Sequence, residues 1–506
     1  MPDRRIKKIS ISYPPLESGF GVPLLTQNRQ FQWFNSPTYI YPIVPASAAT
    51  LLKKNGFEVI WDDAISECKT YAEWLNGIKD KKPALIAIES KTPVIKRHWE
   101  IVRELKKFDW NPVVVLMGDH VTAFPRESME KSPVDFVLTG GDYDFLLLNI
   151  CRSLSEVNGS RTELEPGIWY RDGEEIKSTG EFRLEHDLNG LPLIDRDLTK
   201  WRLYSEKNGN YKKLPGTYTM AGRDCWWGKC SFCSWTTLYP KYRVRKPDSL
   251  LEEVSRLSAD YGIKEIMDDT GTFPVGEWLR YFCNGMIESG LNRKLSMNCN
   301  MRFGAVKKED YRLMKKAGFR LLLFGLESAN QGTLDRLDKG VTVEKIIESC
   351  RNARAAGLYP HITIMFGYPW ETYEEALNTI KFGKWLLRKG LAWTVQATIV
   401  IPYPGTPLYK YCRENGFLST EDWDAFDMRG SVVNTLYPES EVPNLVQKIY
   451  STAFNPEFLL RRFLAVRDTD DVRYFFRAAG KVMGHLMDFK NGKAKFGRTG
   501  VNANCN

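Results

Sequence analysis

From residue 216 onward the chain keeps one beat: a short apolar run, then an amphipathic stretch, repeating about every 30 residues, the length of one βα unit. Strand candidates are 217–221, 265–268, 295–301, 321–326, 361–366 and 395–401. Helix candidates are 249–261, 277–288, 308–317, 343–356, 373–387 and 407–415. Six such units predict a partial (β/α)6 barrel, with its chemistry at the carboxyl ends of the strands.

The first of those ends carries Gly222-Arg-Asp-Cys225-Trp-Trp-Gly-Lys-Cys230-Ser-Phe-Cys233. Two tight gaps let three thiolates wrap one face of a small inorganic cluster and leave a fourth iron open to a small molecule. A zinc knuckle and three unconnected buried thiols are the alternatives. Zinc calls for a fourth Cys or His nearby, and Cys283 and Cys299 lie far along the chain in expected helix and strand. A three-ligand iron–sulfur site is the better reading.

The other strand ends are less specific. Met267-Asp268-Asp269-Thr270 pairs two carboxylates, which suits acid–base work or an ordinary helix-capping turn. Arg302, ending the third strand, has the geometry to clamp a carboxylate bidentately. Gly325-Leu-Glu327-Ser328, Gly367-Tyr-Pro-Trp-Glu371 and Pro402-Tyr-Pro-Gly405 end the fourth, fifth and sixth. The prolines of the last read best as shaping the rim.

Residues 1–155 also alternate strand and helix, with strands expected at 8–12, 57–62, 84–89, 113–117 and 135–139 and helices at 46–55 and 96–107. That pattern predicts a parallel, doubly wound, Rossmann-like sheet, which binds ligands beyond its carboxyl edge. The residues there are Tyr13, Pro14, Ser90, Thr92, Gly118, His120, Gly140, Gly141 and Asp142. Each alone reads as a turn; together they ring one edge. Residues 156–215 read as a connector with a small hairpin, 216–430 as the barrel, and 431–506 as a mostly helical segment with helices at 459–466 and 472–487 and a frayed tail beyond 492.

The formal charge of +9 is scattered over 506 residues, so a nucleic-acid partner is not expected. No run of 18 apolar residues marks a membrane span. The first residues do not form a signal-peptide core. Ten cysteines without framework spacing fit a reducing, and for an exposed cluster anoxic, cytoplasm.

The cluster loop resembles that of the radical S-adenosylmethionine (SAM) superfamily, in which three cysteines hold a 4Fe–4S cluster and SAM chelates the unique iron. The usual first gap holds three residues; here Trp226 to Lys229 make four. The Cys230-Ser-Phe232-Cys233 end keeps the adenine-contacting pattern. On that resemblance Phe232, Arg302, Glu327, Gly367 and Asp268 are expected SAM contacts. The first 155 residues resemble the cobalamin-binding domain that precedes one radical SAM class. Its motifs match Tyr13-Pro-Pro-Leu16, Gly118-Asp-His120 and Thr139-Gly-Gly-Asp142. Many cobalamin folds carry a cobalt-ligating His after the second strand; Asp62-Asp-Ala-Ile-Ser-Glu67 has none, which excludes a His ligand from this loop.

Together these imply a cobalamin-dependent radical SAM enzyme. The resemblance implies methylation of an unactivated carbon: a 5′-deoxyadenosyl radical abstracts hydrogen and methylcobalamin caps the substrate radical. Electrons would come from an external donor such as ferredoxin or flavodoxin. A cobalamin-using cyclase or ring-rearranging enzyme is the second reading, and a cobalamin or redox sensor the non-enzymatic one. A methylthiotransferase would need a second cysteine trio, where only Cys68 and Cys151 stand before the barrel. The substrate is left open among lipid, tetrapyrrole, antibiotic precursor and protein side chain such as glutamine or arginine. The aromatic C-terminal segment is expected to form part of its wall.

Overall fold

The computed structural model describes residues 6–25, 31–35, 37–155, 163–450, 466 and 468–488. Its frame is two sheets whose carboxyl edges face each other.

The first sheet runs β2-β1-β3-β4-β5-β6-β7. Its parallel part is β1 (Lys8–Tyr13), β2 (Glu58–Asp63), β3 (Leu85–Ser90), β4 (Val113–Gly118) and β5 (Phe136–Leu138). All six residues of β3 are buried, as expected of a central parallel strand covered on both faces. Helices Ile43–Lys54 and Ile95–Leu105 stand where the periodicity put them. The helix Tyr71–Lys81 had a legible start that the apolar spacing hid: Thr70 Oγ1 accepts from Glu73 N, while Glu73 Oε2 accepts from Thr70 N at 2.8 Å. Strand order reverses between β1 and β3, which makes their carboxyl ends the natural crevice.

β6 (Ile168–Asp172) and β7 (Glu175–Ser178) form the expected hairpin, but it does not stand apart in a connector. β6 pairs antiparallel with β5, Leu138 opposite Ile168, and so extends the first sheet. A three-residue β5 would otherwise be an open edge.

The second sheet keeps chain order: β8 (Gly216–Thr219), β9 (Glu265–Asp268), β10 (Ser296–Met301), β11 (Phe319–Glu327), β12 (Tyr359–Phe366) and β13 (Thr394–Ile399), all parallel. Helices follow at Pro247–Asp260, Glu277–Glu288, Lys308–Lys316, Val343–Ala355, Tyr373–Arg388 and Pro407–Glu414. Among the described residues β8 and β13 do not pair, so the barrel stays open. β8 stops short of Ala221 because the Ala221 N–H is drawn off the ladder to Asp268 Oδ2, 2.8 Å away.

The edges meet through named bonds. Gly141 N donates to Leu238 O at 2.9 Å, Trp423 Nε1 to Glu127 Oε1 at 3.0 Å, and Phe31 N to Tyr403 Oη at 3.1 Å. The helix Thr469–Asp488, close to the expected 472–487, is pinned where Arg477 Nη2 donates to Lys212 O at 2.9 Å and Lys212 Nζ meets Asp471 Oδ1 at 2.7 Å. The helix expected at 459–466 lies, but for its last residue, outside the described residues, as does the tail beyond 492.

Candidate active site

The loop leaving β8 is fixed before it reaches the first cysteine. Asp268 is fully buried and accepts from Thr219 Oγ1 at 2.9 Å, from Ala221 N and from Thr270 Oγ1 at 2.5 Å. Its carboxylate is thus consumed by the loop's own donors. Asp268, expected as a SAM contact, does not line the cavity that the loop serves; it shapes the approach to Cys225.

Cys225, Cys230 and Cys233 then line one cavity of about 230 Å³ at the carboxyl edge of the second sheet, together with Phe232, Arg302 and Glu327. Five strand ends and the cysteine loop close it, as a barrel rim should. Among the described residues no group of three His, Cys, Asp or Glu side chains closes on a single ion. Three thiols spread round a cavity suit a larger cluster better than a zinc knuckle. Burial pushes the Cys230 thiol above its ordinary range, and Lys339 then Arg302 pull against that. Glu327 holds φ +65, a conformation rare outside glycine, with its Oε1 2.7 Å from Lys339 Nζ.

Gly367, also expected here, turns the chain instead. With φ +100, its open face lies against Val442 of the helix Glu441–Tyr450. Sequence reasoning missed Thr272, whose Oγ1 sits 2.9 Å from Cys225 Sγ, and Lys339, Gln396 and Tyr403, which also line the cavity. Thr272 follows the acidic end of β9 and was within reach of the strand-end rule. Lys339 lies on a turn after a helix, where nothing in the sequence tells which way it folds. Among the described residues, none of the helix Thr469–Asp488 lines this cavity.

The first sheet brings its nine expected residues to one edge, and most are engaged by the protein itself. Tyr13 Oη donates to Glu89 Oε2 at 2.5 Å beside a buried Pro14. Ser90 Oγ lies 2.6 Å from His98 Nδ1. Thr92 Oγ1 lies 3.2 Å from His120 Nδ1, and His120 Nε2 is 3.1 Å from Glu127 Oε2. Gly118, at φ +124, lets β4 close on Ser90 O, where a Cβ would overlap. Gly140 packs on Phe182 and Gly141 under the Tyr239 ring. Asp142 joins Arg223 Nη1 at 2.7 Å, Arg243 Nη2 at 2.6 Å and His186 Nδ1 at 3.0 Å. Gly141 and Asp142 therefore tie the first sheet to Arg223, Leu238 and Arg243, on either side of the cysteine loop. Unmet polar atoms remain at the seam between the sheets. Among the described residues, both amide atoms of Gln32, 3% exposed, and Thr237 Oγ1 have no hydrogen-bond partner.

An open six-stranded parallel barrel with three cysteines after its first strand defines a radical SAM domain, and residues 221–383 match the radical SAM superfamily model. The chain is an enzyme that carries this domain at residues 221–383, and its two-sheet fold is that of solved cobalamin-dependent enzymes. It is 27% identical over 462 residues to a protein of Pyrococcus horikoshii named an uncharacterized methyltransferase, covering 90% of this chain and 95% of that one. It is 28% identical over 372 residues to the anaerobic magnesium-protoporphyrin IX monomethyl ester cyclase of Cereibacter sphaeroides, covering 72% of this chain and 59% of the cyclase. Among solved structures it superposes on OxsB, a cobalamin-dependent SAM radical enzyme with aqua-cobalamin and SAM bound. The TM-score is 0.67 at 14% identity, over 95% of this chain and 72% of OxsB.

Proposed function

We propose that this chain is a cobalamin-dependent radical SAM methyltransferase that places a methyl group on an unactivated carbon. The observation that carries the reading is the three-thiol cavity, set at the carboxyl edge of an open barrel that faces the carboxyl edge of a doubly wound sheet. Cys225, Cys230 and Cys233 would hold a 4Fe–4S cluster, with Phe232, Arg302 and Glu327 beside SAM. The seam between the sheets fits cobalamin: the orphaned Gln32 amide and Thr237 hydroxyl are the partners an amide-fringed macrocycle needs. Ser90, Thr92, Gly118 and His120 would floor that site. When bound, these groups supply a carbon-centred radical and a transferable methyl, the hard chemistry that the side chains cannot perform.

The chain's own residues orient and enclose. Tyr403 lines the cavity and bonds across the seam to Phe31, so one side chain spans both sites. No helix of the described residues is long and apolar enough to cross a membrane. We place the enzyme in the cytoplasm, reduced by a ferredoxin or flavodoxin. The likeness to the cyclase of Cereibacter sphaeroides supports a second reading, ring formation without methyl transfer.

Incubation with methyl-labelled SAM, reductant and candidate substrates separates the two. Methyl transfer requires label in the product, with S-adenosylhomocysteine and 5′-deoxyadenosine formed together. Conversion with 5′-deoxyadenosine but no labelled product establishes the cyclase, and a chain that never cleaves SAM is a sensor.

A further inference from the structure

Besides the three thiols, three charged groups line the cysteine cavity among the described residues: Arg302, Glu327 and Lys339. Lys339 is the least expected of them. It stands on the turn after the helix Gln331–Arg336, yet it is only 9% exposed. Its ammonium lies 2.7 Å from Glu327 Oε1 and 5.5 Å from the centroid of the Phe232 ring, beside Cys233. The turn is stitched to both gaps of the cysteine loop. Trp227 Nε1 donates to Asp338 O at 2.7 Å, and Ser231 N donates to Leu337 O at 3.0 Å. Arg302 Nη2 donates to Lys339 O, holding the same turn from β10. A lysine that served only to close a helix would stay in water, where its ammonium is best solvated. This one is turned inward against an acid held at positive φ, at the wall of the thiol cavity.

We infer that Lys339 is a positioning residue for electron entry, its charge setting the reduction potential of the cluster held by Cys225, Cys230 and Cys233, with Glu327 as counter-charge. The inference rests on the cluster reading above. The external donor gives the cluster one electron, and no bond forms or breaks. The added negative charge is stabilised by a cation in the low-dielectric wall and opposed by the neighbouring carboxylate. Removing Lys339 leaves the Glu327 carboxylate facing the cluster alone.

The test is a dye-mediated potentiometric titration of the anaerobically reconstituted full chain without SAM, read by EPR of the reduced cluster. Lys339→Met should lower the reduced-to-oxidised ratio at a fixed potential by about tenfold, the scale of one partly screened charge. Glu327→Gln should raise the ratio, Lys339→Arg should keep it, and the Lys339→Met/Glu327→Gln double variant should return near the wild type. Iron and sulfide content is measured in each. A Lys339→Met variant with a full cluster and an unmoved ratio overturns the inference alone. A wild-type chain that holds no four-iron cluster overturns the cluster reading and this inference with it. If Lys339→Met loses iron, Glu327→Gln decides: a ratio that does not rise overturns the inference.

Discussion

The guanidinium of Arg302 lies 3.9 Å from the centroid of the Trp227 ring. The Lys229 ammonium stands 5.2 Å from the same ring, so the indole is flanked by two cations. Both Trp227 and Lys229 belong to the four-residue first gap of the cysteine motif, the point at which this chain departs from the usual spacing. The longer loop reaches the Asp338–Gly340 turn and is fastened there.

That fastening needs a glycine at 340. Its φ is +58, and a Cβ would overlap the Trp227 ring. Gly340→Ala should destabilise the fold by about 2 kcal/mol through backbone strain and overpacking. Adding Trp227→Ala relieves the overlap but not the strain, so the double variant should be about 1 kcal/mol more stable than the sum of the singles. Urea unfolding midpoints measure this; strict additivity would show that the two residues do not share the contact.

Replacing Cys225, Cys230 and Cys233 together by Ala should abolish the brown chromophore and the SAM-perturbed EPR signal, with iron falling to background. Four irons retained per chain in that variant would disprove the assignment.

Asp268 gives a sharper distinction. As a buried acceptor for Thr219, Ala221 and Thr270, it shapes the loop before Cys225. Asp268→Asn places an amide N–H against donors and should cost about 2 kcal/mol. Cluster loading should fall, while SAM affinity of the loaded fraction, read by equilibrium dialysis, stays within about twofold of the wild type. A full cluster with SAM affinity lost would make Asp268 a direct SAM ligand instead.

Stability should also fall in mildly alkaline solution. Burial works against a charged His186 ring, but Asp142 and Glu165 outweigh it and raise its pKa from 6.5 to about 9. Folding therefore favours the protonated ring. That contribution is complete below about pH 6.5 and is lost as pH rises through about 9, a difference of about 2 kcal/mol once solvent screening of a partly exposed ring is discounted. Thermal unfolding between pH 6 and pH 10 should show it, and His186→Gln should flatten that part of the profile. An unchanged slope in the variant would assign the loss to other groups.

The barrel was legible because its strands are short apolar runs between strongly amphipathic helices; Glu265–Asp268 and Glu277–Glu288 fall where the periodicity put them. The cysteine trio, singled out by its spacing, lines one cavity. Of the residues expected by the strand-end rule, Arg302 and Glu327 line the cavity, whereas Asp268 and Gly367 do not. A strand end is shared between the cavity and the loop that leaves it, and only the fold decides which takes the side chain. Lys339 comes from a turn after a helix, brought in by bonds from Trp227 and Arg302 that span 111 and 37 residues. Such long-range closure leaves no local signature.

Asp142 ends a loop of the first sheet and bonds Arg223, which stands two residues before Cys225. The two halves are therefore not interchangeable cassettes. A chimera that imports another first half must bring an acid for Arg223 and Arg243 and bare backbone for Phe182 and Tyr239, or it strands one buried and one half-buried guanidinium and jams two rings. Natural lineages that recombine such halves should inherit this short loop and the cysteine segment as a single unit.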